Sequence, residues 1–219
     1  MRIYEVGTCQ IWGPTLLIRL SADAISIRCI RCRASVIHMS IASVIRRLYL
    51  DLSKFPVYEM SSRSPLFDYL KARAGEFSYS EYFDEVEPGA TRNGVMCQDV
   101  QKLAFPDHRF GLCTSTEVSE HVEDDIQGFR EIFRVLQPVG RFVFTVPLSG
   151  ESKTITRAML LNGKIRHLLP PEYHGDTIRG SSRVLCYRNY GADILERLLD
   201  CGFSDAMFCA HAGHRGWGP

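Results

Sequence analysis

The sequence predicts an α/β protein with an open, mostly parallel sheet and helices on both faces. Three observations carry that expectation. From Val36 onward, stretches of helical period alternate with short apolar runs, which is the rhythm of strand–helix–strand units. The run RFVFTVP (141–147) is apolar on both faces, as a central parallel strand must be. Polar side chains gather where apolar runs end: Asp99 closes one, and Phe110–Thr116 empties into Glu117, Glu120 and His121. In sheets of this kind ligands bind beyond the carboxyl ends of the strands, near the point where strand order reverses.

Residues 1–35 are expected to be an irregular lead-in, because residues 1–27 show no clean period. The remainder, 36–219, reads as one domain. Ile37, Ile41, Val44, Ile45 and Leu48 share a helical face, with Arg46 and Arg47 on the other. FPVYEM (55–60) is a short buried strand. A helix follows, with Ser64 as N-cap, Pro65 at its first position and Gly75 as its stop. EFSYSEYF (76–83) alternates and is rich in aromatics, as a strand should be. DEVEPGATRNG reads as a loop, and GVMCQ (94–98) and RFGLCTST (109–116) as strands. Asp124 or Asp125 caps a helix whose stripe is Ile126, Phe129, Ile132, Phe133 and Leu136, ended by Pro138 and Gly140. Residues 148–188 are long, basic and irregular, which suits a functional lid or a mobile insertion. A last helix, Asp193 to Cys201, stops at Gly202. FSDAMFCA then begins a sixth strand, and the ending HAGHRGWGP suggests a truncated last hairpin.

A chain of 219 residues is long enough to bury a real core, and 45% apolar with 23% charged residues is ordinary globular composition. The net charge of +1 gives no electrostatic case for nucleic acid or an anionic membrane. The early arginines, Arg28, Arg31, Arg33, Arg46 and Arg47, read as a solvated face. No apolar run reaches the roughly 18 residues that a membrane span needs. No secretory signal is expected, and the eight scattered cysteines suit reduced thiols in a cytoplasmic protein.

The run DVQKLAFPDHRFGLCTSTEVSEHVEDDIQGFREIFRVLQPVGRFVFTVP (99–147) resembles class I S-adenosylmethionine-dependent methyltransferases. It follows their order of an Asp, then L-x-F-P-D-x-x-F-D-L, then E-H-V, then R-V-L-K-P-G-G-R and an apolar strand. The likeness extends back through PVYEMSSRSPLFDYL and forward through HLLPPEYHGD. It implies a Rossmann-like fold, S-adenosylmethionine as cofactor, and a small-molecule, lipid- or sugar-like acceptor. Glu59, closing the first strand, would accept from the methionine ammonium. Glu81 would take the ribose diol, because a carboxylate accepts two bonds at once. Asp99 would accept from the adenine amino group with Val100 beside the ring, and Ser115 would line the floor near the methyl group.

The family's G-x-G-x-G loop is replaced by Ser61, Arg63 and Pro65, so Ser61, Ser62 and the amides after Pro65 would face the cofactor carboxylate. F-D-L reads FGL, with Gly111 for Asp, and K-P-G-G reads QPVG, leaving Gly140 to make the left-handed turn. These departures keep open a second reading, a degenerate, non-catalytic member of the fold that acts as a binding module. Methyl transfer needs mostly alignment, and a base only where the acceptor must lose a proton. His121 is the candidate for that contact, followed by His174 and Tyr173. Cys29 and Cys32 have the spacing of half a zinc knuckle, with only Cys9 and His38 near enough to complete it. Reduced structural thiols are the expectation, and no metal. A zinc-stabilised nucleic-acid module is disfavoured by the charge.

Overall fold

The computed structural model describes residues 4–175 and 183–209. Residues 4–29, expected to be irregular, form a three-stranded antiparallel sheet: β1 (Tyr4–Cys9), β2 (Gly13–Arg19) and β3 (Ile27–Cys29). Its face is apolar only at Cys9, Leu17, Ile27 and Cys29, which pack on Ala34 and Met39. Strands this exposed carry too few buried positions for a period to show, which is why the sequence pattern is silent there.

Helix α1 (Val36–Leu48) starts at Ser35, whose hydroxyl accepts from the His38 amide. Ile41, Ala42, Val44 and Ile45 are buried as the period requires. Strand β4 (Pro56–Glu59) leads through α2 (Pro65–Lys71) to β5 (Glu76–Glu81). Ser64 caps α2 as expected, but the helix closes at Lys71 rather than running to Gly75. The loop after β5 contains β6 (Thr91–Arg92), which turns back onto β7 (Val95–Cys97). Strand β8 (Phe110–Thr116), α3 (Asp125–Val135, N-cap Asp124) and β9 (Leu136–Thr145) complete the central unit. The α3 stripe is cut short: Leu136 already begins β9, and Phe133 is 44% exposed.

The six-stranded sheet runs in the order β6-β7-β5-β4-β8-β9. All neighbours are parallel except the β6 edge. Val57 and Leu112 point toward α1 and α2, while Tyr58 and Cys113 point toward α3. This is the Rossmann-like, mostly parallel open sheet covered on both faces. Strand order reverses at β4, with β5 on one side and β8 on the other, so a crevice opens at the carboxyl end of this pair.

The stretch after β9 is less irregular than its composition suggests. Three antiparallel pairs form there: β10 (Ile155–Thr156) with β15 (Arg188–Asn189), β11 (Ala158–Leu161) with β12 (Lys164–His167), and β13 (Tyr173–Gly175) with β14 (Arg183–Leu185). The last helix, α4 (Ile194–Leu199), packs Ile194 and Leu198 into the α3 core. The expected sixth strand at FSDAMFCA is not formed over 203–209; Phe203 instead packs against Phe133 and the core beside α3. The sixth strand of the sheet is β6, and HAGHRGWGP lies outside the described residues. Among the described residues no helix is long and apolar enough to cross a membrane.

Candidate functional site

Glu59 ends β4 in register with Thr114 of β8 and Tyr79 of β5, so it stands at the reversal point of the sheet. It is 1% exposed. The Thr114 hydroxyl donates to its Oε2, while Oε1 has no hydrogen-bond partner among the described residues. Burial pushes this carboxyl up to about 8, the Thr114 bond opposes the rise, and the nearby Glu81 charge adds to it. A buried acceptor without a donor costs on the order of 1–3 kcal/mol, which a ligand cation would recover.

Glu81 ends β5, and its Oε1 accepts from the Ser62 amide at 2.6 Å. Asp99 follows β7, whose Gln98 amide donates to the Glu81 carbonyl at 2.9 Å. The three acids therefore close three adjacent parallel strands on one edge of the sheet. Asp99 also holds its own turn: Oδ1 accepts from the Gln101 amide at 2.8 Å and from the Gln101 side chain at 3.2 Å. Val100 is partly buried against the α3 core. Ser115 is 1% exposed, and its hydroxyl lacks a partner among the described residues. Ser61 spends its hydroxyl locally, donating to the Arg63 carbonyl at 3.1 Å.

Glu117 follows β8 in a left-handed conformation (φ 52°), and burial holds its carboxyl above the usual range. It lines a cavity of about 620 Å³ together with Val36, Ile37, Thr145, Val146 and His174. The cavity thus lies between the start of α1, the end of β9 and the β13 strand. Thr114 was not among the residues singled out from sequence, and Glu117 was singled out but given no role. Thr114 becomes visible only through the β4–β8 register, whereas Glu117 was legible as a polar strand end without a role.

His121 does not line that cavity. Its Nδ1 meets the Leu185 carbonyl at 2.8 Å, and its Nε2 faces His174 Nδ1 at 3.2 Å. Tyr173 is about half exposed beside His174. Two sequence departures have packing causes. A Cβ at Gly111 would stand 2.9 Å from Phe55 Cδ1, and the Tyr49 hydroxyl donates to the Gly111 carbonyl at 2.8 Å. The left-handed residue of QPVG is Val139 (φ 62°) rather than Gly140. Gly140 instead gives room, since a Cβ there would meet the Gln137 carbonyl at 2.8 Å. At the amino-terminal sheet, Cys9 Sγ lies 3.5 Å from Cys32 Sγ, with Cys29 in the same cluster. His38 stays out of it, its Nδ1 lying 3.2 Å from the Ser35 hydroxyl.

Residues 63–144 match the family model described as a methyltransferase domain. The chain is also similar to solved structures. One is an S-adenosylmethionine-dependent methyltransferase from Mesorhizobium loti, at 16% identity over 75% of this chain and 81% of that one, with a TM-score of 0.47. Another is the YcgJ protein from Bacillus subtilis, at 20% identity over 51% of each chain, with a TM-score of 0.41. No curated protein matches. Glu81, Asp99, Val100, Ser115 and His121 all fall inside the segment that matches the methyltransferase-domain model, and the match agrees with the resemblance to class I S-adenosylmethionine-dependent methyltransferases.

Proposed function

We propose that the chain binds S-adenosylmethionine at the carboxyl edge of β4, β5 and β7 and transfers its methyl group to a small-molecule, lipid- or sugar-like acceptor. The observation that carries this reading is Glu59: a fully buried carboxyl, at the reversal point of a parallel sheet, with one oxygen that has no donor among the described residues. Glu59 is assigned to the methionine ammonium and Glu81 to the ribose hydroxyls. Asp99 is assigned to the adenine amino group, Val100 to the ring, Ser61 to the carboxylate and Ser115 to the floor. Bound there, the cofactor supplies a methyl group on a positively charged sulfur.

The chain's own contribution is alignment and, for a hydroxyl or amine acceptor, removal of a proton. The cavity of about 620 Å³ is large enough for an acceptor of metabolite size. Glu117 is the group placed to take the proton, because burial brings a carboxyl nearer to neutrality and makes it a stronger base. His121 reaches this cavity only through His174, so its role here is to position His174. The test is calorimetric titration with S-adenosylmethionine and S-adenosylhomocysteine, followed by radiolabelled methyl transfer to metabolite extracts. Binding of both ligands with loss in Glu59→Gln supports the reading. Absence of binding at millimolar ligand refutes it and leaves the non-catalytic binding module, to which the missing glycines of the 61–65 loop already point.

A further inference from the structure

Behind the acceptor cavity, four donor groups come together whose joint arrangement methyl transfer does not require. His121 and Glu120 come from the short 3-10 turn after β8, His174 from β13, and Cys186 from the residue after β14. One donor atom from each of His121, His174 and Cys186 lies within 4.8 Å of the other two. His121 Nε2 is 3.2 Å from His174 Nδ1, and Cys186 Sγ is 3.7 Å from that same nitrogen. Glu120 Oε1 is 3.6 Å from His121 Nε2 and 3.7 Å from His174 Nδ1.

The three-residue group is of a size that one ion could bridge, and Glu120 stands beside it against His121 and His174. Bond lengths of about 2.0–2.3 Å from zinc to nitrogen, oxygen and sulfur place neighbouring donors roughly 3.3–3.7 Å apart. The outer partners also suit ligation. His121 Nδ1 is held by the Leu185 carbonyl at 2.8 Å, which leaves Nε2 as the lone-pair nitrogen facing the cluster. His174 turns Nδ1 toward His121 and Glu120, while its Nε2 lies 3.3 Å from Cys186 Sγ and 3.5 Å from the Glu172 carboxylate, which holds the ring from the outer side.

Glu120 gives the independent sign that something belongs there. Its side chain is 2% exposed, and neither carboxylate oxygen has a hydrogen-bond partner among the described residues. The Arg188 guanidinium, which acts on Glu120 through its charge, gives its hydrogen bonds to the carbonyls of Ser119, Val122 and Glu123 and pairs with Asp125 at 3.6 Å. A divalent cation would balance one carboxylate and one thiolate, with two neutral imidazoles completing the set.

We propose that His121, His174 and Cys186, with Glu120 beside them as the carboxylate that turns in to complete the set, form a site for a zinc-class divalent cation, which fastens the β13–β14 pair to the turn after β8. Two ligands belong to the central domain and two to the segment that walls the cavity, so the ion would set that wall's position. Ligation releases one proton from the Cys186 thiol, and no electrons are exchanged.

The test is zinc and cobalt(II) titration of the full chain without cofactor, so that its outcome is separate from S-adenosylmethionine binding. The cysteine cluster at Cys9, Cys29 and Cys32 stays intact in every sample, and metal is counted as a difference between variants. The wild type is expected to bind one equivalent more than Cys186→Ser. Its cobalt form should also show a thiolate-to-metal charge-transfer band that Cys186→Ser weakens. Glu172→Gln changes a partly exposed side chain outside the ligand set, so folding is not at stake, and it should weaken zinc binding by about 10- to 100-fold. Equal metal content and equal cobalt spectra in the wild type and Cys186→Ser would overturn the proposal. Should Cys186→Ser fail to fold, unchanged zinc affinity in Glu172→Gln would do the same.

Discussion

Replacing Glu59 by Gln isolates the charge at the centre of the proposed site. In the free protein the Glu59 carboxyl titrates near 8, against 4.5 for an ordinary glutamate. At pH 7 it is therefore mostly neutral, and ionising it to meet an ammonium costs about 1.4 kcal/mol, one unit below its pKa. Affinity for S-adenosylhomocysteine should accordingly rise about tenfold per pH unit between pH 6 and 7 and level off above 8. Glu59→Gln should make the affinity flat across this range. At pH 8 it should also weaken binding by about 10- to 100-fold, the value of a charge-assisted hydrogen bond of roughly 1.5–3 kcal/mol. Stability moves the other way. A carboxyl raised in the folded state contributes stability that is complete below pH 4.5 and is lost as pH climbs through 8. Urea midpoints of the wild type should fall across that window by an amount bounded at about 5 kcal/mol, and the Gln variant should lose the slope. Calorimetry and urea denaturation at four pH values between 5 and 8 measure both. Affinity and stability that are both independent of pH in the wild type would refute the reasoning.

Gly111→Asp restores the residue common in the family but drives a Cβ to 2.9 Å from the Phe55 ring, so a loss of about 1–3 kcal/mol is expected in urea denaturation. Adding Phe55→Ala should recover part of that loss, and a purely additive pair would contradict the packing account. Val139 is a β-branched residue at φ 62° and fully accessible, so Val139→Gly should raise stability by about 1 kcal/mol, read as a higher melting temperature. Asp125, 4% exposed, accepts from the Tyr190 hydroxyl at 2.8 Å and from Arg197 Nη2 at 2.6 Å. Asp125→Asn should cost about 3 kcal/mol and speed hydrogen exchange in α4, since it leaves Arg197 without its counter-charge.

The central unit was legible because its signals are local. Ser64 and Pro65 announce α2, Asp124 announces α3, and buried runs of Val, Phe and Leu announce β4, β8 and β9. The strand-end acids were readable for the same reason. What failed was information that depends on pairing. Thr114 matters because register sets it opposite Glu59, and His174 and Cys186 matter because β13 and β14 bring them to His121. Two hairpins could have been found: Asn93-Gly94 and Asn162-Gly163 both carry positive φ at both residues, the type I′ signature that Asn-Gly favours. The composition around them hid the signal. Residues 148–188 are polar, and the β11–β12 strands leave most of their side chains exposed, so no apolar period marks them.

The loop between β4 and α2 decides how much its missing glycines matter. A glycine-rich loop answers two needs: a left-handed backbone, and room for a ligand close to the chain. The first need does not arise here, because Ser61, Ser62, Arg63 and Ser64 are all outside the left-handed region. The loop is held instead by the Ser62 amide on Glu81 Oε1, while Ser64 caps α2 through the Phe67 amide at 2.9 Å. A carboxylate has about four acceptor sites, so Glu81 can hold Ser62 and still receive a diol. The second need is the real difference. Side chains at 61 and 63 narrow the approach to the backbone, so in the proposed site recognition would shift from main-chain amides to the carboxyl groups of Glu59 and Glu81. Affinity for the cofactor in this chain should therefore depend on pH and on those two acids more steeply than a backbone cradle would.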